Sequence, residues 1–385
     1  MRTTMLCAPL LFALAACEAS QPNTPAAPEA TGTSAEAGAD AMASRDPAPG
    51  QKAEVVISDS EDRPIMQAQV VLERLGFGPG VIDGREGLSF ANALEGFQES
   101  RDLPVSGELD AATREALSRW NNIPATRVVT IPASWGEVRF APVPEDMAAQ
   151  AQMTRIGYES MAEKLAERFH TTPEVLAQLN PGGRPASAQG DPSPSASTGQ
   201  DPAALPQFTP GQQLRVPNVG ADAIDAAAVD NKDWLETLRS LGVGTTQPEV
   251  ARILVDESEG WLKTYDADDR LVAMFTVTTG SRHDPLPIGE WEVKGVAYNP
   301  PFSFDPTLFW DVPDSAEKQQ LPPGPNGPVG VVWIDLSKEH YGIHGTPAPE
   351  AIGRTQSHGC VRLTNWDAAR LAEMVSGSTR VVFRK

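Results

Sequence analysis

The residues with the clearest chemical potential in this sequence surround a single cysteine near the C-terminus. Cys360 ends the segment Ser357-His358-Gly359-Cys360, and His344 precedes it by sixteen residues. Two of the five histidines in the chain therefore lie shortly before this cysteine. A thiol with a pKa of roughly 8.5 is mostly protonated at neutral pH, and a neighbouring imidazole turns it into an effective nucleophile. The pattern predicts a cysteine nucleophile for acyl transfer.

The two histidines differ in the geometry expected of them. His358 stands two residues before Cys360, so in an extended segment it shares a face with the thiol but points along the chain. His344 lies farther from Cys360 along the chain, and a strand, a loop and a second strand or turn between them would bring the two side chains together. We therefore assign proton transfer to His344.

The residues beside the nucleophile predict how an acyl group is held. Gly359 has no side chain, which lets an acyl carbonyl approach the backbone, so we expect the N–H groups of Gly359 and Cys360 to form an oxyanion hole. One such donor contributes about 3 kcal/mol to the transition state. Arg362 has two equally supported roles, namely bidentate orientation of a substrate carboxylate and a structural ion pair.

Short predicted strands surround these residues from residue 249 to residue 385. Apolar and polar residues alternate, and a single helix is predicted at 366–375 before a final strand at 380–383. The other predicted strands are 251–255, 261–265, 271–279, 289–296, 329–336 and 341–344. Many short strands with turn signals are typical of a mostly β sandwich.

This set of motifs resembles the signature of the L,D-transpeptidase catalytic domain, also called the YkuD domain. The signature pairs a His-Gly-Thr element with a later Ser/Thr-His-Gly-Cys element, and the resemblance spans roughly residues 249 to 385. The matching segments are His344-Gly345-Thr346, Ser357 to Arg362, Thr278-Thr279-Gly280 and Pro287-Ile288-Gly289. Leu286 replaces the usual Thr before the proline, which we expect to alter a wall of the groove more than the chemistry.

The resemblance implies a peptidoglycan L,D-transpeptidase. Cys360 would attack the carbonyl of the third residue of a tetrapeptide stem and release the terminal D-Ala, after which an amine takes the acyl group. His344 would accept and donate the proton, and the Gly345 carbonyl would orient its second nitrogen. Ser357 and His358 complete the catalytic set that the resemblance implies.

Two other functions use the same parts. Water in place of the amine gives an L,D-carboxypeptidase or hydrolase, and an inactive chain would be a tether that binds peptidoglycan. No cofactor and no metal are expected, because the His-Gly-Cys tripeptide makes a poor zinc chelate and the remaining ligand has no obvious candidate.

Residues 61–119 predict a small three-helix bundle. Apolar residues at helical spacing fall within 65–75, 90–97 and 110–120, with glycine-containing loops between them. The segment resembles the peptidoglycan-binding domain of wall hydrolases. The resemblance rests on Leu75 to Phe77, Asp83-Gly84, Phe97-Gln98 and Thr113 to Leu117. Ser106 replaces the usual Asp, and the alternative is a small bundle that binds no ligand.

A connector at 120–157 leads to a degenerate α+β module at 158–218. Two short helices and a C-terminal strand resemble a LysM module, a two-helix, two-strand fold that binds N-acetylglucosamine chains. The resemblance rests on Asn180-Pro181 and on Gly211 to Pro217. A Ser/Pro/Ala/Gly-rich insertion at 182–205 is predicted to be disordered. Glycan binding and a purely structural spacer are equal alternatives for this module, and a linker at 219–248 follows it.

The N-terminus predicts export. The apolar run Met5–Ala13 is too short to span a bilayer, so residues 1–17 are interpreted as a signal peptide. Leu14-Ala15-Ala16-Cys17 resembles a bacterial lipobox, which implies a lipidated Cys17, and ordinary cleavage before a free cysteine is the alternative. Ala, Pro, Ser, Gly and acidic residues dominate 18–60, which predicts a disordered tether.

Charge and cysteine use indicate the compartment and the partners. A net charge of −20 argues against nucleic acid or an anionic membrane surface as a partner. Cys360 has no intramolecular partner once Cys7 leaves with the signal and Cys17 is acylated. Glu18 is not the Asp associated with inner-membrane retention. We predict a periplasmic protein of the cell envelope that binds stem peptides and glycan strands and is anchored, in the outer membrane, only through Cys17.

Overall fold

The computed structural model describes residues 57–187, 207–309, 312–313 and 315–385. The predicted signal peptide, Cys17, nearly all of the tether and most of the insertion at 182–205 lie outside the described residues. Among the described helices, none has the length and apolar character needed to cross a membrane.

Three helices form in the N-terminal region where the sequence predicts them. They are α1 (Pro64–Arg74), α2 (Leu88–Ser100) and α3 (Ala111–Leu117), and the two-residue strand β1 (Phe77–Gly78) follows α1. Asp110 caps α3 by accepting a hydrogen bond from the Thr113 N–H at 2.8 Å. The buried Gln98 side chain binds the loop before α3, because its oxygen accepts from the N–H groups of Ser106 and Gly107.

The middle region has a strand, three helices and a second strand, in that order. Its elements are β2 (Thr126–Thr130), α4 (Met147–Gln150), α5 (Met161–Arg168), α6 (Pro173–Leu179) and β3 (Gln213–Pro217). β2 pairs antiparallel with β3 along its whole length, although β2 lies in the segment predicted as a connector. Asn180 joins α6 to β3, because its amide contacts the Leu176 carbonyl and both backbone groups of Arg215.

The C-terminal region is built on one large mixed sheet. Helix α7 (Lys232–Leu241) precedes it. The strands in chain order are β4 (Arg252–Asp256), β5 (Trp261–Tyr265), β6 (Leu271–Thr276), β7 (Gly289–Tyr298), β8 (Phe302–Phe304), β9 (Gln319–Leu321), β10 (Val332–Leu336), β11 (Gly342–His344), β12 (Val361–Arg362) and, after helix α8 (Asn365–Ala372), β13 (Arg380–Arg384). Within the described residues the strand order is β1-β6-β5-β4-β13-β7-β10-β11-β12, and β8 pairs separately with β9.

The long strand β7 joins the two halves of this sheet. Its first residues pair with β13 and its remaining residues with β10. The sequence predicted a mostly β sandwich for this region. The β-rich character is confirmed, and β7 joins the strands into one large sheet because it belongs to both halves. Apolar side chains from both halves and from α8 share a single core, with Ile253, Phe275, Ile334 and Trp366 among its members.

The N-terminal bundle packs directly on this sheet. β1 pairs in parallel with β6, so residues of the predicted Leu-Gly-Phe loop extend the sheet by one strand. Gly96 on α2 permits the close approach, because a Cβ there would lie 2.7 Å from Met274 Sδ. Phe97, Trp261 and Met274 belong to one buried apolar cluster. The bundle and the sheet thus share a core instead of being connected only by a linker.

A buried charged cluster lies where the three regions meet. Glu73 of α1 contacts His170 Nδ1 at 2.9 Å and the Arg370 guanidinium of α8 at 3.1 Å. The His170 ring stacks on Trp366 with ring centroids 4.8 Å apart. Burial opposes ionisation of Glu73, but the positive charge of Arg370 and the contact with His170 outweigh it and hold the pKa of Glu73 below its usual value.

We predict that Glu73→Ala destabilises the chain by about 3 to 5 kcal/mol, because it leaves the buried Arg370 charge without its main partner. The matched control Glu86→Ala removes an exposed carboxylate from the same region and should change stability by less than about 0.5 kcal/mol. Urea unfolding of both variants measures the difference. Equal midpoints for the two variants would show that the cluster does not hold the regions together.

Candidate active site

Pairing of β11 with β12 brings the two halves of the motif together. The strands run in parallel, with His344 in register with Arg362. The Leu363 N–H also donates to the His344 carbonyl at 2.9 Å. His344 therefore ends one strand, and Cys360 stands immediately before the adjacent strand. A loop closes the sixteen-residue separation between them.

His344 is buried, with 4% of its surface exposed. Its Nδ1 lies 2.7 Å from the Gly345 carbonyl oxygen, and the Trp333 ring stacks against it with centroids 5.5 Å apart. Because a carbonyl only accepts hydrogen bonds, this contact places the proton on Nδ1 and leaves Nε2 as the acceptor. Burial and the nearby Arg362 charge lower the pKa of His344 to about 4, although the Gly345 contact opposes the change. The imidazole is neutral at physiological pH.

The Cys360 thiol is held in its protonated form. Burial raises its pKa, while a backbone contact from Gly342 and the charge of Arg362 oppose the rise. The sulfur lies 3.9 Å from the His340 carbonyl oxygen. With the thiol and the imidazole both neutral, the thiol proton would have to move during attack on a carbonyl, unlike in a preformed thiolate–imidazolium ion pair.

Ser357 stabilises the turn that carries the nucleophile. Its hydroxyl donates to the Cys360 carbonyl oxygen at 2.6 Å and accepts from the Gly359 N–H at 3.1 Å. Its own N–H donates to the Thr279 carbonyl at 2.9 Å. The Gly359 N–H is thus already used within the turn, which differs from the predicted oxyanion hole, where it was one of two donors.

Glycine is required at position 359 for a reason that the sequence analysis did not identify. Gly359 has φ of +99°, and a Cβ there would lie 2.6 Å from Cε1 of Tyr341. Burial raises the pKa of Tyr341, and the nearby Cys360 and Asp284 add to the rise. Tyr341 was missed because no motif marks it, although its position beside β11 places it next to the cysteine turn.

The two remaining predicted residues face different surroundings. The His358 ring packs edge-on against Phe309, with centroids 5.0 Å apart. Phe309 lies between β8 and β9, and its ring covers the side of the site where His358 lies. Arg362 forms no ion pair with a carboxylate of the described residues, and its guanidinium donates to the Gln356 carbonyl at 3.5 Å. Within the same residues there is no group of three or more potential metal ligands.

Comparison with known families identifies two parts of the chain. Residues 251–383 match the family model of the L,D-transpeptidase catalytic domain, YkuD. Residues 61–117 match the model of a peptidoglycan binding domain. Both family predictions are confirmed, and the first match includes His344 and Cys360. The LysM resemblance stays a prediction.

Two curated relatives each match about a third of the chain. The L,D-transpeptidase YkuD of Bacillus licheniformis is 35% identical over 130 residues, which cover 34% of this chain and 63% of that protein. The L,D-transpeptidase YbiS of Escherichia coli is 32% identical over 135 residues, which cover 34% of this chain and 44% of the relative. The chain therefore spans less than two thirds of the length of either protein.

Solved structures show only a distant likeness. L,D-transpeptidase 3 from Mycobacterium tuberculosis is 18% identical with a TM-score of 0.29, over 36% of this chain and 62% of that one. The C442S mutant of the Enterococcus faecium L,D-transpeptidase is 19% identical with a TM-score of 0.28, over 46% and 72%. Scores of this size support no conclusion about the present chain.

We predict that the His344 imidazole titrates near pH 4, well below the ordinary value of 6.5. Because the Arg362 charge disfavours the imidazolium, Arg362→Gln should move the inflection to higher pH, whereas Arg239→Gln removes an exposed guanidinium and should not. Histidine NMR titration, assigned with His344→Gln, measures both shifts. An inflection near 6.5 in the unaltered chain would contradict the buried, neutral imidazole.

Proposed function

We propose that this protein is a peptidoglycan L,D-transpeptidase with Cys360 as its nucleophile. One observation carries the proposal: strands β11 and β12 bring His344 beside the cysteine turn, within the region that matches the catalytic-domain family. The Nδ1 contact of His344 supports its role as the base, because it leaves Nε2 free of the proton.

The first half of the proposed reaction forms a thioester. Sγ of Cys360 attacks the carbonyl carbon of the third residue of a tetrapeptide stem while Nε2 of His344 accepts the thiol proton. The Cys360 N–H is the proposed donor to the resulting oxyanion, since the Gly359 N–H bonds to Ser357. When the intermediate collapses, the C–N bond to D-Ala breaks and His344 returns the proton to the departing amine.

The second half transfers the acyl group. An amine from a neighbouring stem or from a protein attacks the thioester carbonyl and gives its proton to His344. The C–S bond breaks, and the thiolate recovers the proton from the imidazolium. Water in place of the amine would complete hydrolysis through the same steps, so the acceptor decides between transferase and carboxypeptidase.

Arg362 is proposed to bind the terminal carboxylate of the stem. Its side chain is half-buried, desolvation lowers its pKa, and the nearby Cys360 opposes this change. A bound carboxylate would also offset the positive charge that depresses the pKa of His344, and so strengthen the imidazole as a base. Substrate binding would in this way activate the base.

A cleft beside the loop that leads to the nucleophile is proposed to hold peptidoglycan. It has a volume of about 330 Å³ and is lined by residues of the segments 79–90, 172–178 and 349–354. Phe90, Val175 and Ile352 provide buried apolar surface. The two arginines Arg85 and Arg354 are exposed at the rim. The lining also carries the carboxylates of Asp83, Glu86, Glu174 and Glu350, which can accept hydrogen bonds from sugar hydroxyls. A sugar ring on the apolar surface and a stem carboxylate at the two arginines fit this lining.

The remaining predictions about the envelope are proposals that rest on sequence. The strand-helix-helix-strand order of β2, α5, α6 and β3 supports a LysM-like module that begins near residue 126, and glycan binding by it is proposed. The lipobox resemblance supports lipidation of Cys17 and an anchor in the outer membrane of the cell envelope. The match at 61–117 supports peptidoglycan as the partner.

Incubation with a disaccharide-tetrapeptide tests the acyl-enzyme directly. We expect intact-mass spectrometry to show an adduct on Cys360 with loss of D-Ala, and no adduct in the Cys360→Ala variant. A cross-linked dimer as product would establish transfer, whereas a tripeptide alone would establish hydrolysis. Binding without an adduct or product would refute the enzyme and favour a peptidoglycan-binding tether.

Charge reversal at the cleft tests the proposed binding surface. In a Cys360→Ala background, Arg85→Glu with Arg354→Glu should weaken binding to insoluble peptidoglycan by about fivefold, equal to about 1 kcal/mol. Arg239→Glu with Arg380→Glu makes the same charge change at exposed positions outside the cleft lining. Co-sedimentation measures each affinity. Equal losses in both double variants would mean that net charge, and not the cleft, governs binding.

A further inference from the structure

The amide of Asn365 holds the main chain behind the catalytic histidine. Asn365 is the first residue of α8 and is fully buried. Its Oδ1 accepts from the Val331 N–H at 3.2 Å, and its Nδ2 donates to the Pro325 carbonyl at 3.1 Å. Both partners belong to the loop that enters β10, the strand that pairs with β11 and thus with His344.

Close packing connects this amide to the hydrogen-bond acceptor of His344. A Cβ at Gly345 would lie 2.3 Å from Asn365 Oδ1, and a Cβ at Gly330 would lie 2.0 Å from the same atom. The amide therefore lies directly against the main chain of Gly345. Because the Gly345 carbonyl accepts the Nδ1 proton of His344, the position of Asn365 limits where that carbonyl can lie.

Glu167 of the middle region holds Asn365 in turn. Its Oε1 accepts from Asn365 Nδ2 at 2.6 Å, across 198 positions of sequence. Glu167 lies on α5 and is 7% exposed. Burial raises its pKa to about 7, while hydrogen bonds from Tyr158 and Asn365 oppose the rise. The carboxyl group is thus enclosed and fixed by partners from both regions.

Further contacts from the same region bind the adjacent part of the loop. The Asn326 side chain donates to Glu163 of α5 at 2.6 Å. The Ile156 N–H donates to the Pro323 carbonyl at 3.1 Å, and the Ile156 carbonyl accepts from the Asn326 N–H at 3.2 Å. A Cβ at Gly324 would lie 1.9 Å from the Ile156 oxygen, so the two segments are in close contact.

We propose that Glu167 and Asn365 are positioning residues that keep the Gly345 carbonyl against Nδ1 of His344, which makes the middle region part of the active site. The inference rests on the proposed transpeptidase activity. It gives this region a catalytic role that is independent of glycan binding. Loss of Glu167 would allow the Asn365 amide to rotate, so that the Gly345 main chain could move. The Gly345 carbonyl would then hold the proton on Nδ1 of His344 less strongly.

The test compares three full-length variants. Glu167→Ala removes the acceptor, Glu167→Gln keeps a carbonyl oxygen at the same reach, and Glu145→Ala removes an exposed carboxylate of the same region. We expect Glu167→Ala to lower kcat for acylation by the tetrapeptide about tenfold, with KM unchanged within about twofold. Glu167→Gln should restore most of kcat, and Glu145→Ala should match the unaltered chain.

Nitrogen-15 NMR of the His344 ring provides a readout that does not need turnover. Native protein and Glu167→Gln should show Nδ1 protonated, whereas Glu167→Ala should show a mixture of the two tautomers. If the chain forms no acyl-enzyme but Glu167→Ala still gives the mixture of tautomers, the positioning role of Glu167 and Asn365 is supported and the proposed transpeptidase activity is refuted. An unchanged tautomer in Glu167→Ala, or a kcat loss that Glu167→Gln does not restore, would overturn the positioning role.

Discussion

The hydrogen bond from His344 Nδ1 to the Gly345 carbonyl is the interaction on which the site depends. Burial keeps the imidazole uncharged, so no ion pair holds it in place, and a single carbonyl decides which ring nitrogen carries the proton. The position of this main-chain carbonyl depends in turn on the residues that pack against it and bond to its strand. Those supports come from the β10–β11 pairing in front of the carbonyl and from the Asn365 amide behind it. The residues that fix the neutral His344 ring therefore lie in the fold well beyond β11 and β12.

The three regions pack directly against one another, and this packing also fixes the position of the site. β1 extends the large sheet, α2 packs on β6 through Gly96, and α5 supports the loop that enters β10. A peptidoglycan strand held by the N-terminal bundle would therefore stand at a fixed distance from Cys360. Attachment through a rigid interface raises the local concentration of stems at one orientation, which a long flexible linker does not achieve.

The sequence predicted those features that depend on residues close together in the chain. The spacing of apolar residues located α1, α2 and α3, and the chemistry of thiols and imidazoles selected Cys360 and His344. The pairing of β2 with β3 was not predicted, because Thr130 and Gln213 are 83 positions apart and no motif marks β2, although Gly211 to Pro217 marked the strand β3. Glu167 was missed for the same reason. On its own helix it is an ordinary charged residue, and only the tertiary structure gives it a buried partner.

The buried charged cluster between the regions lowers the stability of the fold through the neighbouring carboxyl group of Asp367. Burial and the neighbouring Glu73 charge raise the pKa of Asp367 to about 8, so this carboxyl is protonated in the folded chain and ionised in the unfolded one at neutral pH. The unfolded state then binds fewer protons, and this group's contribution to stability falls as pH rises from about 4 to about 8. Apolar side chains of similar volume would avoid that cost. Apolar side chains have no directional partners, whereas Glu73 accepts from one arginine and one histidine in a single arrangement. The cluster therefore lowers stability but fixes the position of α8. Helix α8 begins at Asn365, which packs against Gly345, and the Gly345 carbonyl orients His344.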